Sequence, residues 1–463
     1  MTRYVLSPKL GTLDSFSPAP RGDELVLDFD ILRPDLKLGL SIDDAIRQMK
    51  SVDAVPSTVG LEILLLSALV YLADTRINRI QTSQDGWTRE IGLYLPVHDV
   101  AMWDGTKDTL EAMLRFLTGD LWSVDFRQWP EKVATGLPDQ ANLLQPSFKG
   151  ISLFSGGLDS LIGAIDHLKA GRENVLFVSH RADGSISKPQ GDLFEHVRQR
   201  FDNQGVKRLA FGNPRIDDGF QEIKSENSTR GRSFLFIGLA AFAGSALRAP
   251  FPIYVPENGL ISLNVPLDPT RLGSNSTRTT HPYYFRRWND LLRKLRIPGT
   301  VQNPYWNKTK GEMIVECKDA TFLKEVASIS LSCAHPAHDR YHGGGKPHCG
   351  HCLPCIIRRA AFKRAEAVLG PDPTPYRTDD LPAMEFDSSK KTGEQFRGFE
   401  FATGMLAENP ARAKAYIYKT GPLFEDTDKI DDYADLYLRG MTEAAVFLKA
   451  AGVTTYSSKA GNG

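Results

Sequence analysis

The sequence predicts an α/β fold in which a parallel sheet is covered by helices on both faces. Two observations carry this prediction. From about residue 147, short apolar runs typical of buried strands alternate with helix-like stretches. The first run, 151–154, ends in Ser155, Gly156 and Gly157 and is followed directly by a helix-like stretch. A strand that ends in glycines and opens a helix is typical of the ligand-binding edge of such a sheet.

Length and composition set bounds on the rest. The 463 residues are enough for two or three domains. Lysine plus arginine and aspartate plus glutamate both number 56, so no net charge directs the chain to nucleic acid or to a membrane. The longest uncharged apolar stretch, 234–247, is too short to span a bilayer and predicts a buried helix. No secretory signal follows Met1, and we expect a cytoplasmic protein.

Residues 1–146 predict an α+β accessory domain. Within it, 24–30 and 88–96 alternate like half-buried strands, whereas 57–75 and 106–117 are helix-like. No cluster of residues in this part has a catalytic pattern. Partner binding or domain docking is therefore its default role.

Residues 147–380 predict the main α/β domain. Further buried strands are expected at 175–178, 208–211 and 252–256, with helices at about 192–201 and 232–247. Parallel sheets bind ligands at the carboxyl ends of their strands, which is where the glycine pair lies. Residues 381–463 predict a mostly helical C-terminal extension.

The glycine-containing loop predicts a phosphate-binding site. Its full sequence is Ser155-Gly156-Gly157-Leu158-Asp159-Ser160. Glycines let backbone N–H groups approach an anion, and the first turn of the following helix adds unpaired donors and the positive end of the helix dipole. The Gly-x-x-x-x-Gly-Lys-Ser/Thr loop of ordinary NTPases does not occur in the sequence. The alternative is a plain strand-to-helix turn.

Four of the five cysteines have the spacing of a metal site. They are Cys333, Cys349, Cys352 and Cys355, which form a C-x15-C-x2-C-x2-C array. Four sulfur ligands predict a closed, structural Zn²⁺ site, with an iron–sulfur cluster or unrelated buried thiols as alternatives. Cys317 is left over as a core thiol. Five histidines near the array could replace a sulfur ligand, contact substrate phosphate or lie in an exposed loop: His335, His338, His342, His348 and His351.

Three further segments carry candidate binding residues. Arg230 and Arg232 open a helix, where positive charge opposes the dipole, so either ATP phosphate or a solvated turn is expected there. Lys310 also opens a helix and can neutralise a phosphate or carboxylate, or is an ordinary exposed lysine. The stretch 271–310 mixes basic and aromatic residues. That mixture suits a nucleic-acid groove, a pocket for a flat anionic heterocycle or an amphipathic helix.

The loop at 155–160 resembles the Ser-Gly-Gly-x-Asp-Ser signature of PP-loop ATP pyrophosphatases, which cleave ATP between the α and β phosphates and adenylate a substrate oxygen. A second motif is the block Ser332-Cys333 … Cys349-Gly350-x-Cys352-x-x-Cys355-x-x-Arg358-x-x-Ala361-Phe362. Arg230-Gly231-Arg232 and Asn303-Pro304 … Thr309-Lys310-x-Glu312 complete the pattern. Over roughly 147–370, the chain thus resembles the 7-cyano-7-deazaguanine synthase (QueC) family.

The resemblance implies a PP-loop fold of the HUP-type, Rossmann-like class, with ATP, Mg²⁺ and Zn²⁺ as cofactors and the four cysteines as zinc ligands. The implied substrate is 7-carboxy-7-deazaguanine, whose carboxylate is adenylated and then attacked by an amine. The expected ATP contacts are Ser155, Gly156, Gly157, Leu158, Asp159, Ser160, Ser179, Arg230 and Arg232. The expected catalytic residues are Ser155, Asp159, Ser160, Arg232 and Lys310, with Asp159 orienting the loop or binding Mg²⁺. The expected substrate contacts are Arg278, His281 and Lys310.

Two segments depart from the synthases. Ser179-His180-Arg181 stands where they carry Tyr-Gly-Gln, and 277–282 stands where they carry Gly-Tyr-Pro-Asp-Cys-Arg. The layout is more similar to the QueC-like proteins of bacterial anti-phage operons (the QatC type), in which the activated deazaguanine is joined to an amine on a partner protein. We therefore expect an AMP-forming ligase. The alternatives are a synthase that makes the free nitrile from ammonia, a tRNA-modifying enzyme or RNA adaptor, and a catalytically silent scaffold.

Overall fold

The structure is a computed structural model of the full chain. It describes residues 2–33, 38–83, 85–137, 146–171, 174–182, 184–215, 225–226, 228, 230–267, 278–336, 344–384, 386–387 and 391–453. The strands are β1 (Arg3–Lys9), β2 (Glu24–Asp30), β3 (Glu90–Val97), β4 (Leu121–Gln128), β5 (Gly150–Leu153), β6 (Val175–Arg181), β7 (Lys207–Gly212), β8 (Phe251–Tyr254) and β9 (Gly299–Gln302).

Helices connect and cover these strands. They are α1 (Ile42–Lys50), α2 (Thr58–Arg76), α3 (Arg79–Thr82), α4 (Val100–Asp104), α5 (Lys107–Thr118), α6 (Leu158–Ala170), α7 (Gly184–Arg200), α8 (Arg232–Gly244), α9 (Gly259–Leu263), α10 (Pro282–Lys294), α11 (Lys310–Val315), α12 (Ala320–Val326), α13 (Leu353–Leu369), α14 (Lys391–Glu408), α15 (Arg412–Tyr416) and α16 (Ile430–Ala450).

The predicted parallel sheet is confirmed over the central part of the chain. Its strand order is β7-β6-β5-β8-β9, and every adjacent pair is parallel. From β5 the chain continues outward through β6 to β7 at one edge of the sheet. It then returns to the other side of β5, where it forms β8 and β9. The direction of winding therefore reverses between β5 and β8, which is the point at which ligands bind in open α/β sheets.

Helices cover both faces of this sheet, as predicted. On one face, side chains of β5, β6 and β7 share a buried core with α2 and α8. On the other face, α6, α7 and α11 to α13 contribute to a second core with Phe177 and Phe154. A third core lies among α13, α14 and α16, in the C-terminal part of the chain, where the described elements after Lys391 are helices.

The N-terminal part corrects the α+β prediction. Its strands form a second parallel sheet in the order β2-β1-β3-β4, with helices between β2, β3 and β4. Short alternating runs predicted strands at 24–30 and 88–96, but alternation does not reveal whether paired strands are parallel. Side chains of this sheet share one core with α8 and the central sheet.

Helix α2 is long and apolar enough to cross a membrane by length and composition alone. Most of it is instead buried, and its apolar side chains form part of the core shared with α8. Its buried carboxyl group, Glu62, accepts hydrogen bonds from Trp103 Nε1 at 2.6 Å and from the backbone N–H of His98 at 2.7 Å. This pattern is that of a core helix in a globular protein.

One helix begins earlier than predicted. Helix α7 starts at Gly184, whereas the pattern indicated a start near Asp192. The intervening segment contains Gly184, Pro189 and Gly191, which all have low helix propensity. Buried Gln190 donates to the carbonyl oxygens of Phe154 and Ser155 at 3.2 and 3.1 Å, so tertiary contacts stabilise a helix that local propensity disfavours.

Candidate functional site

A cavity of about 300 Å³ lies where the winding of the central sheet reverses, beside the carboxyl ends of β5 and β8. Its volume is at the lower end of the range for small-molecule sites. The lining residues are Leu153, Ser155, Ser160, Arg232, Ser233, Phe236, Ile237, Val255, Pro256, Glu257, Thr279 and Thr280. We call this the switch-point cavity. It contains three of the expected ATP contacts, Ser155, Ser160 and Arg232.

The loop after β5 has a backbone shape that glycine permits. Gly156 has φ of 81°, and a Cβ atom there would lie 3.0 Å from Cα of Gln190. The Ser155 hydroxyl accepts from the N–H of Gly157 at 3.2 Å and lies 3.1 Å from the Ser160 hydroxyl. A larger residue at Gly156 would force the loop away from α7. The loop is therefore held in one shape, with both serine hydroxyls at the cavity.

A buried group of charges lies behind this loop. Asp159, in the first turn of α6, forms an ion pair of 2.8 Å with Lys310 of α11. It also accepts from the side-chain and backbone nitrogens of Asn258 at 2.7 and 3.0 Å. Burial opposes the ionisation of Asp159, but the charge of Lys310 and a hydrogen bond from Glu257 lower its pKa to about 2. Asp159 is therefore an anion held in place on several sides.

Glu257 was missed by the sequence analysis, although it lines the cavity in the turn that follows β8. Burial and the neighbouring charge of Asp159 raise the pKa of Glu257 well above its usual range. Glu257 lines the cavity, whereas Asp159 lies behind it and is already paired with Lys310, so Glu257 is the carboxyl group of the two that could contact a divalent cation such as Mg²⁺. One feature of the sequence could have identified Glu257. It follows a predicted buried strand, 252–256, at the carboxyl end, where ligands bind in such sheets.

Lys310 is not an ordinary exposed lysine in the first turn of a helix. It is buried, and it belongs to a helix start whose N-cap residue is Thr309. The carboxyl group of Glu443 on α16 accepts from the Thr309 hydroxyl and from the N–H of Gly311, the latter at 3.3 Å. The C-terminal extension thus fixes the position of Lys310, which faces Asp159 and is absent from the lining of the switch-point cavity.

Other expected contacts lie away from the cavity. The Ser179 hydroxyl is fully buried and donates to the carbonyl oxygen of Phe154 at 2.7 Å. Arg230 stacks on Trp87 with its guanidinium carbon 4.2 Å from the ring centroid. These two residues therefore do not join Arg232 in the lining of the switch-point cavity.

The expected substrate contacts Arg278 and His281 are also placed elsewhere, whereas Thr279 and Thr280 line the cavity between them. Arg278 stacks on Phe116 and donates to its carbonyl oxygen at 3.1 Å. His281 is fully buried. One of its ring nitrogens accepts a hydrogen bond from the N–H of Tyr283, and the other contacts the hydroxyl of Thr420. The residue type of His281 suggested ligand binding, but in the structure its side chain caps the start of α10.

The four cysteines of the array lie together, and their sulfur atoms are all within 4.8 Å of one another. The Cys333–Cys352 and Cys349–Cys355 sulfur pairs are each 3.9 Å apart. Bonds of about 2.3 Å to one tetrahedral ion place sulfurs ~3.8 Å apart, so the site could hold a metal such as zinc. The same spacing is too short for a four-iron cluster, in which each thiolate binds a different iron. Hydrogen bonds from Cys333 and Cys352 lower the pKa of Cys349.

The cysteine site is connected to the glycine-containing loop after β5. The N–H of Leu331 donates to the carbonyl oxygen of Gly156 at 2.9 Å, and the Ser332 hydroxyl accepts from the N–H of Leu158 at 3.4 Å. Leu331 and Ser332 are the two residues that come before Cys333 in the chain. Buried Arg358 donates to Ser332 from the other side at 3.3 Å. A metal bound at the cysteines would therefore hold the segment that supports the loop.

Among the neighbouring histidines, His348 is buried and accepts from the N–H of Ser332 at 3.3 Å. Burial and the charge of Arg358 lower the pKa of His348 to about 3, so it is neutral. The cysteine sulfurs already form a complete four-ligand group, and Cys317 lies outside it as a buried thiol. His338 and His342 lie outside the described residues.

Comparison with known proteins does not identify a family. No model of a known protein family matches the chain, and no curated protein matches it significantly. The functional assignment therefore depends on the residues of the switch-point cavity, the loop after β5 and the cysteine site.

Proposed function

We propose that the chain is an AMP-forming, ATP-dependent carbon–nitrogen ligase of the PP-loop type. Its proposed substrate is the carboxylate of 7-carboxy-7-deazaguanine, and its proposed acceptor is an amine of a partner protein in a bacterial anti-phage system. The observation that carries the proposal is the loop from Ser155 to Ser160. It lies at the carboxyl end of β5, where the sheet reverses its winding, and beside a cavity that also contains Arg232.

In the first step, a carboxylate oxygen of the substrate attacks the α-phosphorus of ATP and the bond to the β-phosphate oxygen breaks. The hydroxyls of Ser155 and Ser160 and the backbone of the glycine loop would bind the departing pyrophosphate. Arg232, in the same cavity, would stabilise the negative charge that grows on the phosphates. Asp159 would orient the loop, and Glu257, whose carboxyl group lines the cavity, would contact Mg²⁺, which when bound neutralises phosphate charge.

In the second step, the acceptor nitrogen forms a bond to the acyl carbon while the bond from that carbon to AMP breaks. Thr279 and Thr280, which line the same cavity, would contact the heterocycle. Lys310 acts through Asp159, whose carboxylate it holds at 2.8 Å, and is therefore a positioning residue. A zinc ion at the cysteines would have a structural role, since four sulfur ligands leave no open position.

The test is a reaction with Mg-ATP and 7-carboxy-7-deazaguanine, in which AMP and pyrophosphate are measured. We expect release of both products by the natural protein and loss of that release in Ser155→Ala, with Ser51→Ala, on an exposed turn, as the control. Zinc content should be the same in all three proteins. Unchanged AMP and pyrophosphate in the natural protein would overturn the proposal.

The alternative is a synthase that makes the free nitrile from ammonia. Mass spectrometry separates the two, because the ligase adds mass to a candidate partner protein and the synthase yields a small-molecule nitrile. The proposed RNA-binding role of 271–310 has less support. Arg286 and Arg287 pair with Asp426 and Glu425 at 2.7 and 2.6 Å, so these positive charges are already matched by the C-terminal extension.

A further inference from the structure

Thr280 lies in the wall of the switch-point cavity and belongs to a buried chain of hydrogen bonds. Its hydroxyl is 3.0 Å from that of Ser262 on α9, and the Ser262 hydroxyl is 2.9 Å from Nδ2 of Asn303, which follows β9. Thr280 is only 6% exposed and Ser262 only 4%. Because both hydroxyls are shielded from bulk water, each of their hydrogens needs an acceptor in the protein or in the cavity.

The side-chain amide of Asn303 is fixed in one orientation. Its Oδ1 atom accepts from two backbone N–H groups, that of Glu257 at 3.3 Å and that of Tyr305 at 2.9 Å. Its Nδ2 atom donates to the carbonyl oxygen of Glu257 at 2.6 Å. A backbone N–H only donates and a carbonyl oxygen only accepts, so the amide cannot be turned over. Nδ2 of Asn303 is therefore also a donor to Ser262.

This donor sets the direction of the two hydroxyl groups that follow. The Ser262 hydroxyl accepts from Asn303, whose Nδ2 atom offers no lone pair in return. Within the described part of the chain, the acceptor for the Ser262 hydrogen is the oxygen of Thr280. Thr280 thus accepts from Ser262 and keeps its own hydrogen. Since Thr280 lines the cavity, that hydrogen is available to a bound ligand.

The surroundings make this donor selective. Four apolar residues also line the cavity, namely Phe236, Ile237, Val255 and Pro256. In a largely apolar cavity, a hydroxyl that faces another donor leaves both groups without an acceptor, which weakens binding about tenfold or more. Thr280 therefore favours a ligand with an acceptor oxygen at this place and disfavours a ligand with an amino group there.

We propose that Thr280 is a specificity residue of the switch-point cavity, whose hydroxyl donates a hydrogen bond to the ring carbonyl oxygen of the heterocyclic substrate. The identity of the heterocycle rests on the proposed function. In that reaction the carboxylate faces the ATP phosphates at the loop, which leaves the ring carbonyl as the acceptor oxygen for Thr280. Ser262 and Asn303, which are not among the described lining residues, act through Thr280 and are positioning residues.

The test compares two compounds by calorimetry with the full chain, Mg²⁺ and α,β-methylene-ATP, which cannot be cleaved between its α and β phosphates. One compound is 7-carboxy-7-deazaguanine, and the other is its 2,6-diamino analogue, in which an amine replaces the ring carbonyl oxygen. The proteins are the natural chain, Thr280→Val, Ser262→Ala and Thr403→Val. Thr403 is a matched control, because it is a buried threonine of α14 whose hydroxyl donates to the carbonyl oxygen of Phe399 at 2.7 Å, away from the cavity lining.

We expect the natural protein and Thr403→Val to bind the carbonyl compound at least about tenfold more tightly than the diamino analogue. Thr280→Val, which keeps the shape of the side chain and loses the hydroxyl, should bind both compounds with similar affinity. Ser262→Ala keeps the Thr280 hydroxyl but lets it accept from an amine, so the preference should decrease while binding remains. An unchanged preference in Thr280→Val, or equal affinity of the natural protein for both compounds, would overturn the proposal.

Release of AMP from ATP separates this proposal from the proposed function. If the natural protein releases AMP and Thr280→Val keeps the natural preference, the role of Thr280 is wrong and the ligase reaction stands. If the preference depends on Thr280 but no AMP is released, the role of Thr280 stands and the ligase reaction is wrong. No binding of either compound would overturn both.

Discussion

Asp74 on α2 accepts a hydrogen bond of 2.7 Å from the backbone N–H of Gly231. Gly231 stands between Arg230 and Arg232 at the start of α8, and a Cβ atom there would lie 3.0 Å from Cβ of Asp74. The Ser228 hydroxyl also donates to Asp74 at 2.9 Å. A residue of the N-terminal part therefore fixes the segment from which Arg232 reaches the switch-point cavity.

This relationship predicts the effect of Asp74→Asn. The substitution removes a buried negative charge from beside Arg89. Breaking a buried ion pair in this way lowers the free energy of unfolding by about 3 kcal/mol. We expect a lower denaturation midpoint and slower AMP release, because the start of α8 loses its anchor. Asp104→Asn, at an exposed position, should change neither. Equal midpoints for Asp74→Asn and the natural protein would contradict the anchoring role.

Gly156→Ala should abolish AMP release. The backbone φ of 81° strains any side chain, and the added Cβ would lie 3.0 Å from Cα of Gln190 on α7. The loop would have to move, which removes its N–H groups and serine hydroxyls from the phosphate positions. The matched control is Gly184→Ala, where a Cβ would meet nothing within 4 Å. Full activity in Gly156→Ala would show that the loop does not bind ATP.

Lys310→Gln should reduce the rate of AMP formation by about 10²-fold, the usual effect of removing one preorganised charged group. The physical reason is that Asp159 loses the cation 2.8 Å away and no longer keeps its charge and position. Lys308→Gln is the control, because Lys308 pairs with Glu316 on the surface. Steady-state release of pyrophosphate measures both rates, and similar rates would contradict the positioning role.

Cys352→Ala should remove the bound metal, whereas Cys317→Ala should retain it. Cys352 belongs to the four-sulfur group, and Cys317 is a separate buried thiol whose pKa burial raises to about 12. Elemental analysis of the purified proteins measures one zinc per chain or its loss. Because binding at such sites contributes about 10 kcal/mol or more, Cys352→Ala should also lower stability sharply. Iron in place of zinc would contradict the prediction.

His281 should make the stability of the protein depend on pH. Burial and the charge of Arg278 lower the pKa of His281 to about 3, whereas an unfolded chain protonates its histidines near pH ~6.5. The unfolded state therefore binds more protons between these values. Stability contributed by the neutral ring is present above pH ~6.5 and decreases as the pH falls, by up to about 1.4 kcal/mol per pH unit.

The check is a comparison of denaturation midpoints at pH 7 and pH 5. His281→Asn preserves a capping side chain and removes the titrating ring, so its midpoint should fall less than that of the natural protein. His196→Asn, at an exposed position of α7, should behave like the natural protein. The same fall for all three proteins would rule out His281 as the source.

The location of several elements followed from sequence pattern alone. The strand at 151–154, the glycine loop and the apolar helix after Arg232 were placed within a few residues, since buried strands and glycine turns leave strong local signals. The spacing of Cys333, Cys349, Cys352 and Cys355 likewise predicted a cluster that the structure brings together. These features depend on short stretches of chain.

The second parallel sheet could not be predicted in this way. Strands β1 and β4 did not stand out, and pairing between β3 and β4 joins segments separated by two helices. The roles of single charged residues were equally hidden. Arg278 and His281 had the residue types of ligand contacts, but the end of α5 and Thr420 occupy their polar atoms.

The sequence by itself determined the class of fold, the glycine loop that opens α6 and the cysteine group, because each arises from residues that are close in the chain or regularly spaced. Only the tertiary structure decided which side chains face the switch-point cavity. Glu257, Arg232 and Thr280 meet there because three segments that are distant in the chain lie beside one cavity: the turn after β8, the start of α8 and the residues before α10. The direction of a side chain depends on the packing of its whole element, which no local pattern records.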